Sequence, residues 1–316
     1  MYDTPILLII FNRADTAQQV FDTIKQIRPK YLFVAADGPR LNKPEDIEKC
    51  KLTRAIIDQV DWVCEVKTLF RDVNRGCGRG PAEAITWFFE NVEEGVILED
   101  DCLPSNEFFT FTAAMLQKYR SNDKVMLVAG TNLLGKWKET EQGYHFSSYV
   151  HTWGWATWRN AWDLYDFELN QWGQDNTLNC FKEILPNRNV YNRFKEIFDY
   201  TKANINNITW WDFQWCYCVL QNRGLCVVPA VNLITNIGIG TDSTHTSNKN
   251  DKGTPILKTG ALQVDYTNSV LLLADSEFDK KIYKLTLERN TNFLSLIFEG
   301  LKRNYKRILK LLTINR

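Results

Sequence analysis

The sequence predicts an α/β protein built on a doubly wound, mostly parallel sheet. Two observations support this fold class. Short apolar runs rich in β-branched residues alternate with amphipathic stretches along the first hundred residues, which is typical of strands that are buried on both faces and joined by helices. The chain also has 316 residues, of which 44% are hydrophobic, so it can bury a large core.

The first strand–helix–strand unit lies near the amino terminus. Apolar runs at 6–11 and 31–36 are expected to form neighbouring parallel strands. The helix between them has a capping residue in Asp15 or Thr16 and is closed by Pro29. Because such connections are short and right-handed, the two strands should lie side by side.

Two further units follow. A helix within 43–60 leads to a strand within 62–70, and a helix at 81–91 leads to a strand at 95–98. The glycine-rich segment 74–80 is expected to be a loop. It lacks the Lys-Ser or Lys-Thr pair of a P-loop and follows the third strand, so it does not indicate a dinucleotide or nucleoside triphosphate cradle.

Acidic side chains follow two of the predicted strands. Asp37 comes directly after the second strand, and Glu99, Asp100 and Asp101 follow the fourth. Ligands of doubly wound sheets bind at the carboxyl ends of the strands, where these side chains should lie. Adjacent carboxylates need a cation or hydrogen-bond donors, and oxygen ligands suit Mn²⁺ or Mg²⁺. The alternative is a solvated acidic turn.

The second half of the chain differs in composition. After a helix at 108–119 and a strand at 125–129, the segment 144–215 is rich in Trp, Tyr, Phe and Asn. We expect this segment to shape a pocket for a polar, ring-bearing substrate. At least half of the eleven Trp residues should nevertheless belong to the core.

Charge is distributed unevenly, although Lys+Arg and Asp+Glu are equal at 38 each. Residues 280–316 carry ten basic and two acidic side chains, a net charge of +8 that leaves −8 for the rest. The acidic body excludes a nucleic-acid-binding protein. Apolar residues recur every three or four positions at 293–312, which predicts a basic amphipathic helix for peripheral membrane contact. The alternative is a helix docked on the body or at an oligomer contact.

The eight Cys residues include no C-x-x-C pair and form no zinc-type cluster with the three His residues. The chain begins with neither a basic segment nor a small-residue cleavage site, and no apolar run reaches the ~18 residues of a membrane span. We therefore expect a cytoplasmic protein with reduced thiols, peripheral on the inner face of the cell membrane if the basic helix binds lipid.

The segment 95–111, GVILEDDCLPSNEFFTF, resembles the metal-binding strand of GT-A type glycosyltransferases. Among them it is most similar to the family of inverting N-acetylglucosaminyltransferases of complex N-glycan synthesis and to related bacterial transferases. Matching motifs occur in the same order over about residues 4–245, and this order is the specific part. The motifs are Asn12-Arg13, Ala36-Asp37-Gly38 and Trp211-Asp212-Phe213-Gln214-Trp215.

The resemblance implies a role for each matching residue of the first half. Arg13 and Asp37 would hold the nucleotide base and Asp100 the ribose. Asp101 would bind the divalent metal that bridges the diphosphate, with Glu99 beside the donor sugar. Such a metal stabilises the charge that builds on the leaving nucleotide diphosphate. Taken singly, an Arg such as Arg13 is more often part of a surface ion pair, and an Asp such as Asp37 more often begins a turn.

Asp212 is the predicted catalytic base. Inversion at an anomeric carbon requires one group to accept the proton of the acceptor hydroxyl, and a carboxylate between Trp211 and Phe213 would have a raised pKa. The alternative is the N-cap of a helix at 213–222. The family's Trp-Asp-Asp-Trp is Trp-Asp-Phe-Gln-Trp here, and Asp163 or Asp175 are the alternative bases.

Two other segments correspond to binding elements of the family. In the stretch 151–159, Trp153 and Gly154 would lie beneath the donor sugar, although Trp153 is equally compatible with a core position. His245 ends a polar segment in the region where related enzymes order a loop over the nucleotide sugar. It would reach the phosphates or the metal, unless it is merely exposed.

These features predict a metal-dependent, inverting glycosyltransferase that moves a sugar from a nucleotide diphosphate sugar, here a UDP-sugar, to a saccharide or glycolipid acceptor. A nucleotide-sugar-binding half at 1–125 would precede an acceptor-binding half at 126–260 and a basic tail at 261–316. One alternative is a sugar nucleotidyltransferase, which needs a Gly-rich loop with Arg directly after the first strand; residues 11–15 do not provide it. The other is a non-catalytic carbohydrate-binding or scaffold protein.

Overall fold

The computed structural model describes residues 2–138, 143–238, 257–262 and 271–288. The strands in these residues are β1 (Ile6–Ile10), β2 (Tyr31–Ala36), β3 (Glu65–Phe70), β4 (Glu94–Glu99), β5 (Cys102–Pro104), β6 (Val125–Ala129), β7 (Tyr144–Ser147), β8 (Trp155–Trp158), β9 (Leu225–Pro229) and β10 (Ile234–Asn236). The helices are α1 (Ala14–Ile27), α2 (Glu45–Arg54), α3 (Gly76–Asn91), α4 (Asn106–Tyr119), α5 (Arg159–Trp162), α6 (Asp175–Ile184), α7 (Arg188–Ala203), α8 (Asp212–Gln221) and α9 (Ser276–Tyr283). His245 and the predicted basic helix at 293–312 lie outside the described residues.

One large sheet forms the centre of the described structure, with the strand order β3-β2-β1-β4-β8-β6-β9-β7. The first four strands are mutually parallel, and β6 and β9 are parallel to each other. Strand β8 is antiparallel to both of its neighbours, β4 and β6, and β7 is antiparallel to β9 at the edge. The predicted mostly parallel α/β sheet is confirmed. The strands of the predicted first and second halves pair within this one sheet, while the domain boundaries at 125 and 260 stay predictions.

Each face of the sheet has its own apolar core, because side chains alternate between the faces along each strand. On one face, Leu7 and Phe33 pack with residues of α3, α7 and α8. On the other face, Ile6 and Leu8 pack with residues of α1 and α4. Burial on both faces explains why the strands are continuous apolar runs.

The segment 74–80 is not wholly a loop, as the sequence had suggested, because α3 already begins at Gly76. The Asp37 carboxylate accepts hydrogen bonds from the backbone N–H of Arg75 at 2.8 Å and of Gly76 at 2.9 Å. It also accepts one from Asn74 Nδ2 at 2.9 Å. A side chain 39 positions earlier in the chain therefore supplies the acceptor that the first N–H groups of this helix need.

The Trp-rich half is mainly a support for the sheet. Six of the eleven Trp residues are buried, in agreement with the expectation that at least half are core. Four of them, here called the aromatic core, pack edge to face and face to face, with ring centroids 5.2–6.2 Å apart. These four are Trp155, Trp162, Trp211 and Trp215. All eight Cys residues are free thiols.

Helix α9 packs against β7. Its Asp279 carboxylate accepts a hydrogen bond from Ser147 Oγ at 2.5 Å, and its Phe278 ring lies 4.2 Å from the His145 ring, centroid to centroid. The beginning of the predicted tail is thus part of the folded body. Among the described residues, no helix combines the length and the apolar character that crossing a bilayer would require.

Candidate active site

The strand order reverses next to β1. The chain passes from β1 outward through β2 to β3 and then returns across β1 to β4, which pairs with the free side of β1 in the register Ile9↔Glu99. The carboxyl ends of β1 and β4 are therefore adjacent, and the space beside them is here called the crevice. This switch point is where doubly wound sheets bind ligands. Here it is lined by Arg13 after β1 and by Glu99, Asp100 and Asp101 at the end of β4.

Arg13 bridges two carboxylates of this crevice. One guanidinium nitrogen, Nη2, donates to Asp100 Oδ1 and, at 3.0 Å, to Asp101 Oδ2. Asp100 is buried, with only 4% of its surface exposed, and its Oδ2 accepts the backbone N–H of Phe11 at 3.3 Å. Burial raises the pKa of Asp100 to about 6 even though the positive charge of Arg13 opposes the effect. Arg13 is thus no isolated surface ion pair but the counter-ion of the predicted ribose and metal residues.

Glu99 has no comparable partner. No hydrogen bond or ion pair reaches its carboxylate from the part of the chain that the structure describes. Burial raises the pKa of Glu99 to about 8, and the negative charges of Asp101 and Asp100 add to this effect. Both effects favour the protonated form of Glu99.

Asp212 lies near Glu99. Its negative charge is a further cause of the raised pKa of Glu99, and such an interaction requires proximity because solvent screens distant charges. Asp212 is the first residue of α8, and its Oδ1 accepts the N–H of Phe213 at 3.0 Å. The N-cap position predicted for Asp212 is occupied by Trp211. Asp163 and Asp175, the alternative bases, are exposed.

The aromatic core holds the start of α8 in place. Trp211 stacks on Trp155 with ring centroids 5.7 Å apart, and its carbonyl accepts a hydrogen bond from Tyr165 Oη at 3.1 Å. Trp155 is the first residue of β8, which pairs directly with β4. Trp155 follows Gly154 in the sequence and Trp211 precedes Asp212, so the stacking of these two rings links two predicted site residues.

Gly154 lies at the floor of the crevice. Its φ of +57° favours glycine, and a Cβ there would lie 2.4 Å from Ile234 Cδ1 and 3.3 Å from Leu98 Cδ2. The neighbouring Trp153 is half-buried, and its carbonyl accepts a hydrogen bond from Thr131 Oγ1 at 2.6 Å. Gly154 thus lies beside Leu98 of β4, while the role of both residues beneath the donor sugar stays a prediction.

Gly238 is a crevice residue to which the sequence did not point. Strand β10 pairs with β5, and the next residue, Ile237, donates its N–H to the carbonyl of Asp101 at 2.8 Å. A Cβ on Gly238 would lie 2.2 Å from Asp101 Oδ2 and 2.8 Å from Arg13 Nη1. A larger residue at this position would displace the side chains of this ion pair. The sequence contains one indication of this role, which is that Gly238 belongs to the polar segment that ends at His245.

Asp37 follows β2, which is separated by β1 from β4 and the acidic triplet. Besides its bonds to the start of α3, it accepts the N–H of Gly38 at 2.9 Å. Burial raises the pKa of Asp37, although the backbone donors of Arg75 and Gly38 oppose this effect. The structure thus gives Asp37 a clear role in positioning α3, while its contact with a nucleotide base stays a prediction.

A divalent metal is implied by the resemblance, and the charges of the crevice suit one. Arg13 is paired with Asp100 and Asp101, and Glu99 adjoins them in the sequence. Burial, with the negative charge of Asp101, raises the pKa values of Glu99 and Asp100, and a cation would stabilise their ionised forms. Among the described residues, however, no three Asp, Glu, His or Cys side chains converge on one point. Asp101 would therefore need diphosphate oxygens or water as the other ligands.

Comparisons with known proteins were made for both sequence and fold. No protein family matches the sequence, and no curated protein matches it. Among solved structures, UDP-glucose pyrophosphorylase complexed with UDP-glucose matches with a TM-score of 0.36 and 8% identity over 74% of this chain and 93% of that one. Mouse xyloside xylosyltransferase 1 matches with a TM-score of 0.31 and 8% identity, over 69% and 81%.

A third match is 4-diphosphocytidyl-2C-methyl-D-erythritol synthase from Anaerococcus prevotii, with a TM-score of 0.32 and 10% identity over 62% of this chain and 84% of that one. The structures to which this chain is similar thus include a pyrophosphorylase, a xylosyltransferase and a synthase of a diphosphocytidyl compound. At this degree of similarity neither a fold nor an activity carries over from these matches to this chain.

Proposed function

We propose that this protein is an inverting glycosyltransferase that moves a sugar from a nucleotide diphosphate sugar, a UDP-sugar, to a hydroxyl of a saccharide or lipid-linked acceptor. One observation carries the proposal. Arg13 and the carboxylates of β4 meet at the switch point of the sheet, and Asp212 from the other half lies within electrostatic reach of Glu99. A donor-binding crevice and a candidate base are thereby combined.

Residues around β1 and β4 would bind the donor. Arg13 and Asp100 would contact the nucleoside, Gly154 and Trp153 would underlie the donor sugar, and Asp101 would hold Mn²⁺ or Mg²⁺. The metal would supply positive charge against the diphosphate as it leaves. His245, which lies outside the described residues, keeps its proposed role toward the phosphates or the metal.

Asp212 is assigned to the proton transfer. The acceptor oxygen forms a bond to the anomeric carbon, the bond from that carbon to the diphosphate oxygen breaks, and the hydroxyl proton passes to the Asp212 carboxylate. Trp211, fixed by Trp155 and Tyr165, sets the position of this carboxylate. Attack from the side opposite the diphosphate gives inversion.

A nucleotidyltransferase is the second candidate. It would need a glycine-rich loop directly after β1 to surround the triphosphate of its substrate. Only Phe11, Asn12 and Arg13 separate the end of β1 from the start of α1. Three residues without glycine leave no room for such a loop, which favours transfer of a sugar over transfer of a nucleotidyl group.

The test of donor binding is a thermal-shift screen of nucleotide sugars with and without Mn²⁺. We expect one UDP-sugar to raise the melting temperature, and to do so only when the metal is present. Asp101→Ala should abolish this shift and the metal-dependent hydrolysis of the donor. A shift that survives Asp101→Ala or a chelator contradicts the metal assignment, and no shift with any donor contradicts the transferase.

Asp212→Asn tests the base. It should leave the donor-induced shift intact and lower the rate of transfer to an acceptor by about 10²–10⁴-fold, the usual contribution of a general base. Asp163→Asn and Asp175→Asn are the matched comparisons, since both carboxylates are exposed. A large loss in one of these two, with Asp212→Asn active, would move the role to that residue.

A further inference from the structure

A second groove runs along α3. Its volume is about 440 Å³, which is within the ~300–1,000 Å³ range of small-molecule sites. One wall consists of α3 residues spaced at three and four positions, which lie on one helix face: Arg79, Ala82, Glu83, Thr86, Trp87 and Glu90. The opposite wall is formed by Tyr165 and Phe167, in the segment between α5 and α6. None of the proposed donor-binding residues lines it.

The aromatic side chains of the groove are held rigidly from behind. Tyr165 stacks on the buried Trp162, with ring centroids 4.2 Å apart and an interplanar angle of 10°. Trp87 packs edge to face on Phe33 at 5.4 Å. Tyr165, Trp87 and Phe167 are nonetheless only half-buried. Fixed aromatic faces that remain open to solvent on one side can pack against the C–H faces of sugar rings at little entropic cost.

The polar groups of the groove favour a neutral, hydroxyl-rich ligand. Arg79 is already paired with Glu168 at 2.8 Å and lies over the Phe167 ring, 4.4 Å from its centroid. The Glu83 carboxylate is bound by Arg75 at 2.7 Å. Within the described ranges, no hydrogen-bond partner is found for Trp87 Nε1 or for the Glu90 carboxylate. One donor and one negatively charged acceptor are thus available, which suits hydroxyl groups and disfavours an anion.

We propose that this α3 groove binds a neutral saccharide chain. Sugar rings pack on Tyr165, Trp87 and Phe167, and hydroxyl groups bond to Trp87 Nε1 and the Glu90 carboxylate. The groove adjoins the crevice through Tyr165, whose Oη donates to the carbonyl of Trp211, the residue before Asp212. Binding of a saccharide in the α3 groove does not depend on the proposed transfer reaction. Only the further step of identifying the bound saccharide as the acceptor would rest on the proposed function.

The experiment uses the full-length protein on a printed array of neutral and acidic glycans. We expect binding to neutral glycans. For the tightest of them, calorimetric titration should show about a tenfold weaker Kd for Trp87→Ala and for Phe167→Ala, and a few-fold weaker Kd for Glu90→Gln. Trp62→Ala is the control, because Trp62 is also half-buried and packs on a core ring, Phe21, outside the groove. Its Kd should stay within about twofold.

Folding is checked by thermal unfolding, and Trp87→Phe replaces Trp87→Ala if the latter does not fold. Failure of all neutral glycans to bind overturns the proposal, as does a loss equal in Trp62→Ala and the groove variants. Binding that disappears with Asp101→Ala but survives the groove variants places the glycan in the crevice instead. The oligomeric state of the protein alone is measured by sedimentation. If the groove variants change this state and Trp62→Ala does not, the groove is an interface between copies of the protein, which also overturns the proposal. Donor-induced stabilisation without glycan binding leaves the proposed function standing and refutes the groove alone.

Discussion

The crevice and the aromatic core are neighbours that are stabilised in opposite ways. In the crevice, Arg13 is paired with Asp100 and Asp101, and burial together with the negative charges of these two carboxylates raises the pKa of Glu99. In the aromatic core, uncharged rings pack tightly, and the ring nitrogens of Trp155 and Trp215 are buried without a hydrogen-bond partner in the described structure. The core gains stability from packing, whereas the crevice holds charge that the fold alone does not neutralise.

This difference matters for function because the two regions are connected. Trp155 follows Gly154, and Trp211 precedes Asp212, so the rings of the core position the polar groups of the crevice. A rigid apolar support allows carboxylates to be held near one another despite their repulsion. The comparison predicts that packing defects will be large and independent of pH, whereas crevice defects will depend on pH.

The largest effect is expected from Trp215→Ala. Trp215 is fully buried and contacts the rings of Trp155 and Trp162 at 6.0 and 5.2 Å. Removing the ring leaves a cavity and should lower the free energy of unfolding by about 3–5 kcal/mol. Denaturant unfolding at pH 7 and pH 8 should give the same loss, with Trp62→Ala as a less destabilised control. A loss below about 1 kcal/mol, or one that changes with pH, would break the comparison.

Glu99→Gln should change the pH dependence of stability. The folded-state pKa of Glu99 is about 8, above its ordinary value of 4.5. The folded protein therefore binds a proton that the unfolded chain releases, so wild-type stability falls as the pH rises from about 4.5 to 8. The variant lacks this loss, and its advantage over the wild type should grow by up to ~1.4 kcal/mol per pH unit within that window. Metal-free unfolding curves at pH 5, 6.5 and 8 test this, and parallel profiles would contradict it.

His145→Leu should have a smaller effect of the opposite sign. Burial lowers the pKa of His145 from 6.5 to about 4, and neither ring nitrogen has a partner in the described structure. The unfolded chain binds a proton first, so wild-type stability falls as the pH drops from about 6.5 towards 4. The variant should show a flatter acid limb in unfolding curves between pH 4.5 and 7. An unchanged acid limb would show that His145 does not titrate in this way.

The smallest effect is expected from Asp37→Ala, which removes the acceptor at the start of α3. The loss of the bonds to Arg75 and Gly76 should lower the free energy of unfolding by about 1–2 kcal/mol. Asp61→Ala is the control, since its carboxylate forms only an exposed ion pair with Lys25 at 2.9 Å and should cost less than about 0.5 kcal/mol. Equal losses in the two variants would show that Asp37 does not hold the helix.

Local patterns were sufficient to predict the sheet and the acidic side of the crevice. Asp100 and Asp101 follow a continuous apolar run, and Arg13 follows another, so parallel pairing of β1 with β4 brings them together. The early start of α3 could not be predicted, because its acceptor, Asp37, comes from a distant loop. Gly238 approaches Asp101 only through the pairing of β10 with β5, and such long-range contacts leave no periodic signal in the sequence.

Strand β8 has a consequence for how this protein can diverge. Because β8 runs against β4 and β6, its beginning lies at the sheet edge where these two neighbours end. Insertions or deletions just before Gly154 would therefore reshape the crevice floor while the ladder from Trp155 to Trp158 kept its register. The same changes after Trp158 would fall on the opposite edge, at α5. The reversal of β8 thus separates a part of the chain where changes would alter the crevice from a part where only the support would change.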